Sequence, residues 1–168
     1  MQTKVFGSFD EAVADMPDGA TVMFAGFGSA GVPRNLIAAL YRQGAKGLTG
    51  ICNGAGGLND KVIDVGALIA AGRMKKMIMA FTSPTHPSRI TPFVRLFNEG
   101  SIEGETVPQG TLAERIRAAG AGIGAFYTPT SVGTELAMDK ESREINGKTY
   151  VLEYALPANY AFIRAWRA

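Results

Sequence analysis

The stretch from Thr21 to Arg34, TVMFAGFGSAGVPR, constrains the fold more than any other part of the chain. Thr21 to Phe24 is a short run of β-branched and apolar residues, which suits a strand. Gly26-Phe27-Gly28-Ser29-Ala30-Gly31 then places three glycines within six residues. Such a segment favours neither helix nor strand and predicts a tight loop. Pro33 closes the loop. Asn35 to Tyr41, continuing to about Gln43, has helical spacing, with Gly44 as a C-terminal stop. A strand that ends in a glycine-rich turn and feeds a helix is a place where α/β proteins bind anions. Backbone N–H groups can approach the ligand there, and the helix N-terminus adds positive partial charge.

The rest of the chain continues the alternation. Ser8-Phe9-Asp10-Glu11 has capping-box spacing for a short helix to about Met16, with the Ser8 hydroxyl on the third N–H and Glu11 reaching back. Pro17-Asp18-Gly19 is turn chemistry. Leu48 to Cys52 reads as a second strand, with Asn53-Gly54-Ala55-Gly56-Gly57 as a glycine-rich loop at its end. Val62 to Ala71 reads as a helix stopped at Gly72, and Met74 to Phe81 as a strand. Thr82 to Arg89 reads as loop, Ile90 to Asn98 as helix and Ile102 to Val107 as strand. Pro108-Gln109-Gly110-Thr111 is a third loop before a helix over Leu112 to Ala119. Ala125 to Thr128 is a short strand. Arg143 to Leu152 reads as a hairpin centred on Asn146-Gly147. Tyr160 to Trp166 reads as a last strand. The pattern predicts a single α/β domain over residues 1–168. Its sheet is open and mainly parallel with helices on both faces, and one β-hairpin lies near the C-terminus. The loops at Gly26 to Gly31, Asn53 to Gly57 and Gln109 are expected to share the carboxyl edge of that sheet, where such folds bind ligands.

Composition narrows the function. A chain of 168 residues with 46% apolar and 19% charged residues is that of a globular protein with a real core. The net charge is +2, and the basic residues are scattered, which argues against a nucleic-acid surface. The one cysteine, Cys52, cannot form an internal disulfide and fits a reducing cytoplasm. The N-terminus lacks the apolar core of a signal peptide, and no apolar run reaches transmembrane length. The expectation is a cytoplasmic protein with neither nucleic acid nor membrane as partner.

Several residues invite chemistry. Gly26 to Gly31 fits G-x-G-x-x-G after a strand. A dinucleotide site also wants an acidic residue about 20 positions on, at the end of the second strand. That strand ends at Cys52-Asn53-Gly54, and Asp60 comes later. A dinucleotide-dependent oxidoreductase is therefore the weaker reading, beside a turn whose glycines serve packing alone. His86 is the chain's single histidine and supports neither a catalytic triad nor a metal site, so no metal is expected. Cys52 reads as a small buried residue rather than a nucleophile, since no basic residue adjoins it. Gln109 lies at the mouth of a helix, where a side-chain amide can donate to a developing oxyanion. Asn53 is a second amide on a parallel loop. For both, the competing reading is an ordinary loop amide bonded to backbone.

Longer stretches carry a resemblance. Asp18 to Phe27 followed by Gly31-Val32-Pro33 resembles the signature of the α chains of the family I coenzyme A transferases. Asn53 to Gly56, Pro108 to Arg117, Ala119 to Gly122 with Phe126 to Thr130, and Tyr150 to Glu153 with Ala161 to Trp166 agree in order and spacing. The resemblance covers nearly the whole chain, and the Pro108 to Arg117 block is its most specific part. It implies a Rossmann-like, three-layer fold and an enzyme that moves coenzyme A between carboxylic acids. Succinyl-CoA is the implied donor, and a 3-oxoacid, acetoacetate or 3-oxoadipate, the acceptor. The implied route is nucleophilic catalysis through a glutamyl-CoA thioester. Its glutamate lies in a Ser-Glu-Asn-Gly motif of a β subunit, and this chain lacks that motif. The resemblance thus implies a β partner, a heterotetramer of two α and two β subunits, and coenzyme A as substrate with no separate cofactor.

Residue by residue, Gly26, Phe27, Gly28, Ser29, Ala30 and Gly31 match the loop that the family associates with coenzyme A. Gln109 matches a glutamine near the catalytic glutamate, with oxyanion stabilisation as its implied role. Asn53 matches the first of two adjacent asparagines that position substrate. There are departures: Ala25 stands where the family has a glycine, and strain would follow if that residue needed φ > 0. Gly54 stands where it has the second asparagine. Agreement is least over Phe81 to Arg95, where His86, Arg89 or Arg95 would either pair with a second carboxylate of the acid or face solvent. Family α subunits usually continue past the position of Ala168, so a C-terminal tail is expected beyond this sequence. An acyl-CoA hydrolase of the same fold and an orphan subunit that only binds acyl-CoA are the rival readings.

Overall fold

A computed structural model describes residues 5–57, 62–82 and 90–167. Contacts divide the chain into two compact units, with boundaries after Glu105 and after Pro157.

The first unit is built on a five-stranded sheet in the order β4-β3-β2-β1-β8. These strands are β1 (Thr21–Phe24), β2 (Leu48–Gly54), β3 (Met74–Phe81), β4 (Glu103–Thr106) and β8 (Tyr160–Phe162). β1 pairs in parallel with β2 and with β8, and β2 pairs in parallel with β3. Phe24 lies opposite both Cys52 and Phe162, so β1 and β8 end level while β2 runs two residues further, to Gly54. In β3 the consecutive residues Met77, Ile78 and Met79 are all buried. Successive side chains point to opposite faces, so both faces of the sheet are covered there, as parallel sheets require. The helices are α1 (Phe9–Val13), α2 (Arg34–Gln43), α3 (Val65–Ala70) and α4 (Pro92–Asn98). Val22, Phe24, Ile37, Leu40, Leu68 and Met79 belong to one buried apolar cluster. Each side chain of that size contributes about 1.5–3 kcal/mol by leaving water.

Helix ends follow local chemistry more closely than periodicity. Ser8 Oγ accepts from the Glu11 N–H at 3.1 Å, as its spacing predicts. Glu11 reaches back to the Gly7 N–H at 2.9 Å rather than to the cap residue itself. α1 ends at Val13, short of Met16. α3 starts at Val65 rather than Val62 because the Asp64 carboxylate accepts from the Gly66 N–H at 2.8 Å and sets the first turn. α4 starts at Pro92 rather than Ile90, with Thr91 Oγ1 accepting from Val94 N–H and proline in the first turn. β8 ends at Phe162, not Trp166, because its neighbour β1 ends at the partner position Phe24.

The second unit holds α5 (Gln109–Gly120), β5 (Ala125–Thr128), β6 (Ser142–Ile145) and β7 (Lys148–Tyr154). The three strands form an antiparallel sheet in the order β5-β7-β6. The expected hairpin is present, and Asn146 and Gly147 both have φ > 0, at 52° and 73°. That is the turn geometry an Asn-Gly pair prefers. β5 extends the hairpin sheet instead of joining the parallel alternation. Glu153 on β7 is buried and pairs with Lys140 and, at 3.9 Å, with Arg115 Nε of α5. Arg115 Nε also donates to the Tyr154 carbonyl at 2.9 Å, which ties α5 to β7. Among the described residues, no helix is long and apolar enough to cross a membrane.

Ser131 has φ of 75°, and its buried hydroxyl has no hydrogen-bond partner among the described residues. Both features disfavour serine there. Ser131→Gly is expected to stabilise the protein by roughly 0.5–1 kcal/mol, the left-handed penalty less the extra unfolded-state entropy of glycine. Urea unfolding of both proteins checks this, and a destabilised variant would contradict it.

Candidate functional site

The parallel pairing of β1 and β2 sets their following loops side by side, at the edge where parallel sheets bind ligands. A cavity of about 250 Å³ opens there, within the first unit. Phe24, Ile37, Cys52 and Val65 give it apolar walls. Ala25 to Gly28 line it from one loop and Gly54 to Gly56 from the other. Phe27 and Phe81 also line it, 59% and 45% exposed, and meet edge-to-face with centroids 5.5 Å apart.

The first glycine loop is fastened at several points. Phe27 N–H donates to the Ala30 carbonyl at 3.0 Å, and Ala30 N–H returns to the Phe27 carbonyl at 3.1 Å. Arg34, from the start of α2, donates to the Ser29 carbonyl at 3.2 Å. Gly26 has φ of 110°, and a Cβ there would come within 2.9 Å of the Ala30 carbonyl oxygen and of Val32. Only glycine fits that position. Gly28 also has positive φ, 59°, but the space around its Cα is open. Ala25, where strain is a concern from sequence, is not among the described non-glycine residues with positive φ, which are Ser131 and Asn146. Its N–H donates to the Phe162 carbonyl at 3.0 Å, continuing the β1–β8 ladder.

The two loops are joined by a side chain. Asn53 Nδ2 donates to the Gly26 carbonyl at 2.8 Å, across the β1–β2 pair. Asn53 therefore sits with the Gly26 to Gly31 loop and bonds to its backbone. Gln109 is the first residue of α5 rather than a loop residue, behind Pro108, which supplies no side-chain cap. It belongs to the second unit. Arg95 lies exposed on α4. His86, Arg89 and Asp60 lie outside the described residues.

Cys52 is buried, and its thiol pKa is pushed from 9.0 up to about 12, first by burial and then by the Asp64 carboxylate. A thiol so shifted is no nucleophile near neutral pH. Asp64 is the residue that sequence reasoning passes over. It lines the cavity and accepts backbone N–H groups from Gly57 and Gly66. Its signal is an Asp immediately before the apolar run VGALIA, a good N-cap position. Among the described residues, no group of three or more His, Cys, Asp or Glu is placed to hold a metal ion.

Residues 6–168 match the sequence profile of the family described as Coenzyme A transferase. The A subunit of the 3-oxoadipate CoA-transferase of Pseudomonas putida is 47% identical over 98% of this chain and 69% of its own length. The A subunit of the probable succinyl-CoA:3-ketoacid coenzyme A transferase of Bacillus subtilis is 44% identical over 98% of this chain and 66% of its own. Among solved structures, the decarboxylase AibA/AibB superposes with a TM-score of 0.77 at 26% identity, over 96% of this chain and 62% of that one. The chain thus spans about two thirds of the length of these proteins.

Two outcomes follow from the site's bonding. Asn53→Ala removes a part-buried hydrogen bond between the loops and is expected to lower stability by about 1 kcal/mol, read by urea unfolding. A variant as stable as the parent would show that the bond holds nothing. Cys52 is expected to resist iodoacetamide at pH 8 in the folded protein, where burial keeps the thiol protonated. It should react on unfolding in urea. Because the folded thiol keeps its proton, its contribution to stability is full below pH 9.0 and is lost as pH rises toward about 12. Rapid alkylation of the native protein would contradict the burial.

Proposed function

The chain belongs to the coenzyme A transferase family, and from that footing we propose that it is the α-type subunit of a 3-oxoacid coenzyme A transferase. The reading takes succinyl-CoA as donor and acetoacetate or 3-oxoadipate as acceptor. It is supported by the two relatives named as A subunits, one for 3-oxoadipate and one for a 3-ketoacid. The observation that carries it is the apolar cavity between two glycine-rich loops at the carboxyl ends of β1 and β2. A glycine-rich loop beside an apolar cavity suits an anionic ligand with an apolar arm, and acyl-coenzyme A is such a ligand.

The chemistry divides between two chains. Among the described residues, no ionisable nucleophile is free in the cavity. Cys52 is protonated, and Asp64 is bonded to backbone. The reading assigns the attacking carboxylate to a glutamate of a β subunit, in a heterotetramer of two α and two β subunits in the cytoplasm. That carboxylate attacks the thioester carbonyl, and coenzyme A leaves as thiolate. The thiolate then attacks the resulting mixed anhydride at the glutamyl carbonyl, releasing the first acid and forming the glutamyl-CoA thioester. The acceptor acid reverses these steps. Each attack develops negative charge on a carbonyl oxygen, and Gln109 is assigned to donate to it. Gly26 to Gly31 hold the coenzyme A and Asn53 fixes the loop that does so.

Such a route is ping-pong, which makes half of it observable alone. With the β subunit present and no acceptor, labelled succinate is expected to exchange into succinyl-CoA. Hydrolysis without exchange would favour the hydrolase reading, and neither would favour an orphan subunit. Gln109→Ala is expected to lower kcat by about 10²–10³ with little change in KM, the range for loss of one oxyanion donor. Unchanged turnover would remove Gln109 from the mechanism. Gly28→Ala costs the fold no more than about 1–2 kcal/mol, since the site is open and only φ is strained. If the loop amides approach coenzyme A closely, KM for succinyl-CoA rises about tenfold in that variant. An unchanged KM would mean that Gly28 makes no such approach.

A further inference from the structure

The second glycine loop is shaped by one carboxylate. Asp64 precedes α3 with extended backbone, and its Oδ1 accepts from the Gly66 N–H at 2.8 Å, which caps that helix. The same Oδ1 also accepts from the Gly57 N–H at 3.0 Å, and Oδ2 lies at 3.0 Å from the Gly57 nitrogen as well. A helix cap needs only the first of these bonds. The second reaches back seven residues to the loop that ends β2. The packing there leaves no slack. A Cβ on Gly56 would lie 2.6 Å from Asp64 Oδ1, one on Gly57 would lie 2.6 Å from Pro92, and one on Gly66 would lie 2.4 Å from the Gly57 nitrogen. Gly56 and Asp64 both line the cavity, and the backbone of Gly54 to Gly56 forms one of its walls.

We propose that Asp64 is a positioning residue of the coenzyme A transferase site. It acts by holding the Ala55 to Gly57 turn against the first turn of α3, so that the cavity keeps its shape. Both carboxylate oxygens accept from backbone donors, and through them Asp64 acts as a brace. It complements Asn53. Asn53 holds the first loop to β2, and Asp64 holds the second loop to α3. A carboxylate inside a mostly apolar wall is retained for this geometry because both of its oxygens are satisfied there.

The inference rests on the proposed transferase reading, and the test separates the two. Asp64→Ser keeps a good helix cap, because serine is among the preferred N-cap residues, but its short hydroxyl cannot serve Gly66 and Gly57 together. Asp64→Asn keeps a cap and one acceptor oxygen of nearly the same reach. Each variant is assembled with the β subunit. Thermal unfolding, steady-state kinetics with succinyl-CoA and backbone amide exchange at Gly57 are measured. Asp64→Ser is expected to unfold about 2–4 °C below the parent, to exchange the Gly57 amide at least about tenfold faster, and to raise KM about tenfold. Asp64→Asn is expected to recover part of both losses. A parent KM and parent Gly57 protection in Asp64→Ser would overturn the proposal, because Asp64 would then be a helix cap alone. If the parent assembly transfers no coenzyme A, the transferase reading falls. Gly57 exchange then decides the brace by itself, and parent protection in Asp64→Ser overturns it.

Discussion

The parallel pairing of β1 with β2 is the constraint on which the rest depends. Phe24, the last residue of β1, stands opposite Cys52, two residues before the end of β2 at Gly54. Two glycine-rich loops must then leave the sheet next to each other. Chain that turns so sharply at two adjacent points has few internal hydrogen bonds of its own and needs partners from outside. Asn53 supplies one for Gly26, Arg34 one for Ser29, and Asp64 one for Gly57. Each is a side chain on or beside a regular element, so the loops inherit the rigidity of the sheet and of α2 and α3. The cavity is the space that these braced loops leave above the apolar ends of the strands.

Much of this is legible in the sequence, for identifiable reasons. β1, α2 and β3 are found where the apolar periodicity and the Gly44 stop place them, because their local signals agree with their burial. The Asn146-Gly147 turn is read correctly because two adjacent residues with positive φ need that chemistry. The misses share a cause. α3 and α4 start later than their apolar runs suggest because Asp64 and Thr91 cap them, and a cap acts over three residues while periodicity is read over many. β5 joins the antiparallel sheet because β7 supplies a long partner, a pairing between segments about 25 residues apart that no local pattern reveals. Gln109 begins a helix although Pro108 before it supplies no side-chain cap, so the usual local start signal is missing there.

The site divides in the same way. The glycines of the first loop announce themselves, and the structure shows that they differ in kind. Gly26 is required by its own surroundings, whereas Gly28 stands in open space. A glycine required by its positive φ but with open space around it is the one most available to a ligand. Asn53 carries two readings from sequence, substrate amide or loop amide, and its bond to Gly26 gives it the second at least. Cys52 is at the site and chemically silent, since burial and the Asp64 carboxylate both keep its proton on. The cap role of Asp64 has a local signal, but its bond to Gly57 has none, because that partner is seven residues away through a loop.

The central claim is that this chain carries the coenzyme A side of a transferase and borrows its nucleophile. The most direct measurement is coenzyme A transfer from succinyl-CoA to acetoacetate and to 3-oxoadipate, by this chain alone and then with a co-expressed β partner that carries Ser-Glu-Asn-Gly. The expected result is no transfer by the chain alone and transfer with the partner, with the ratio of the two acids naming the acceptor. Transfer by the chain alone, or a formed complex that transfers to neither acid, would contradict the claim.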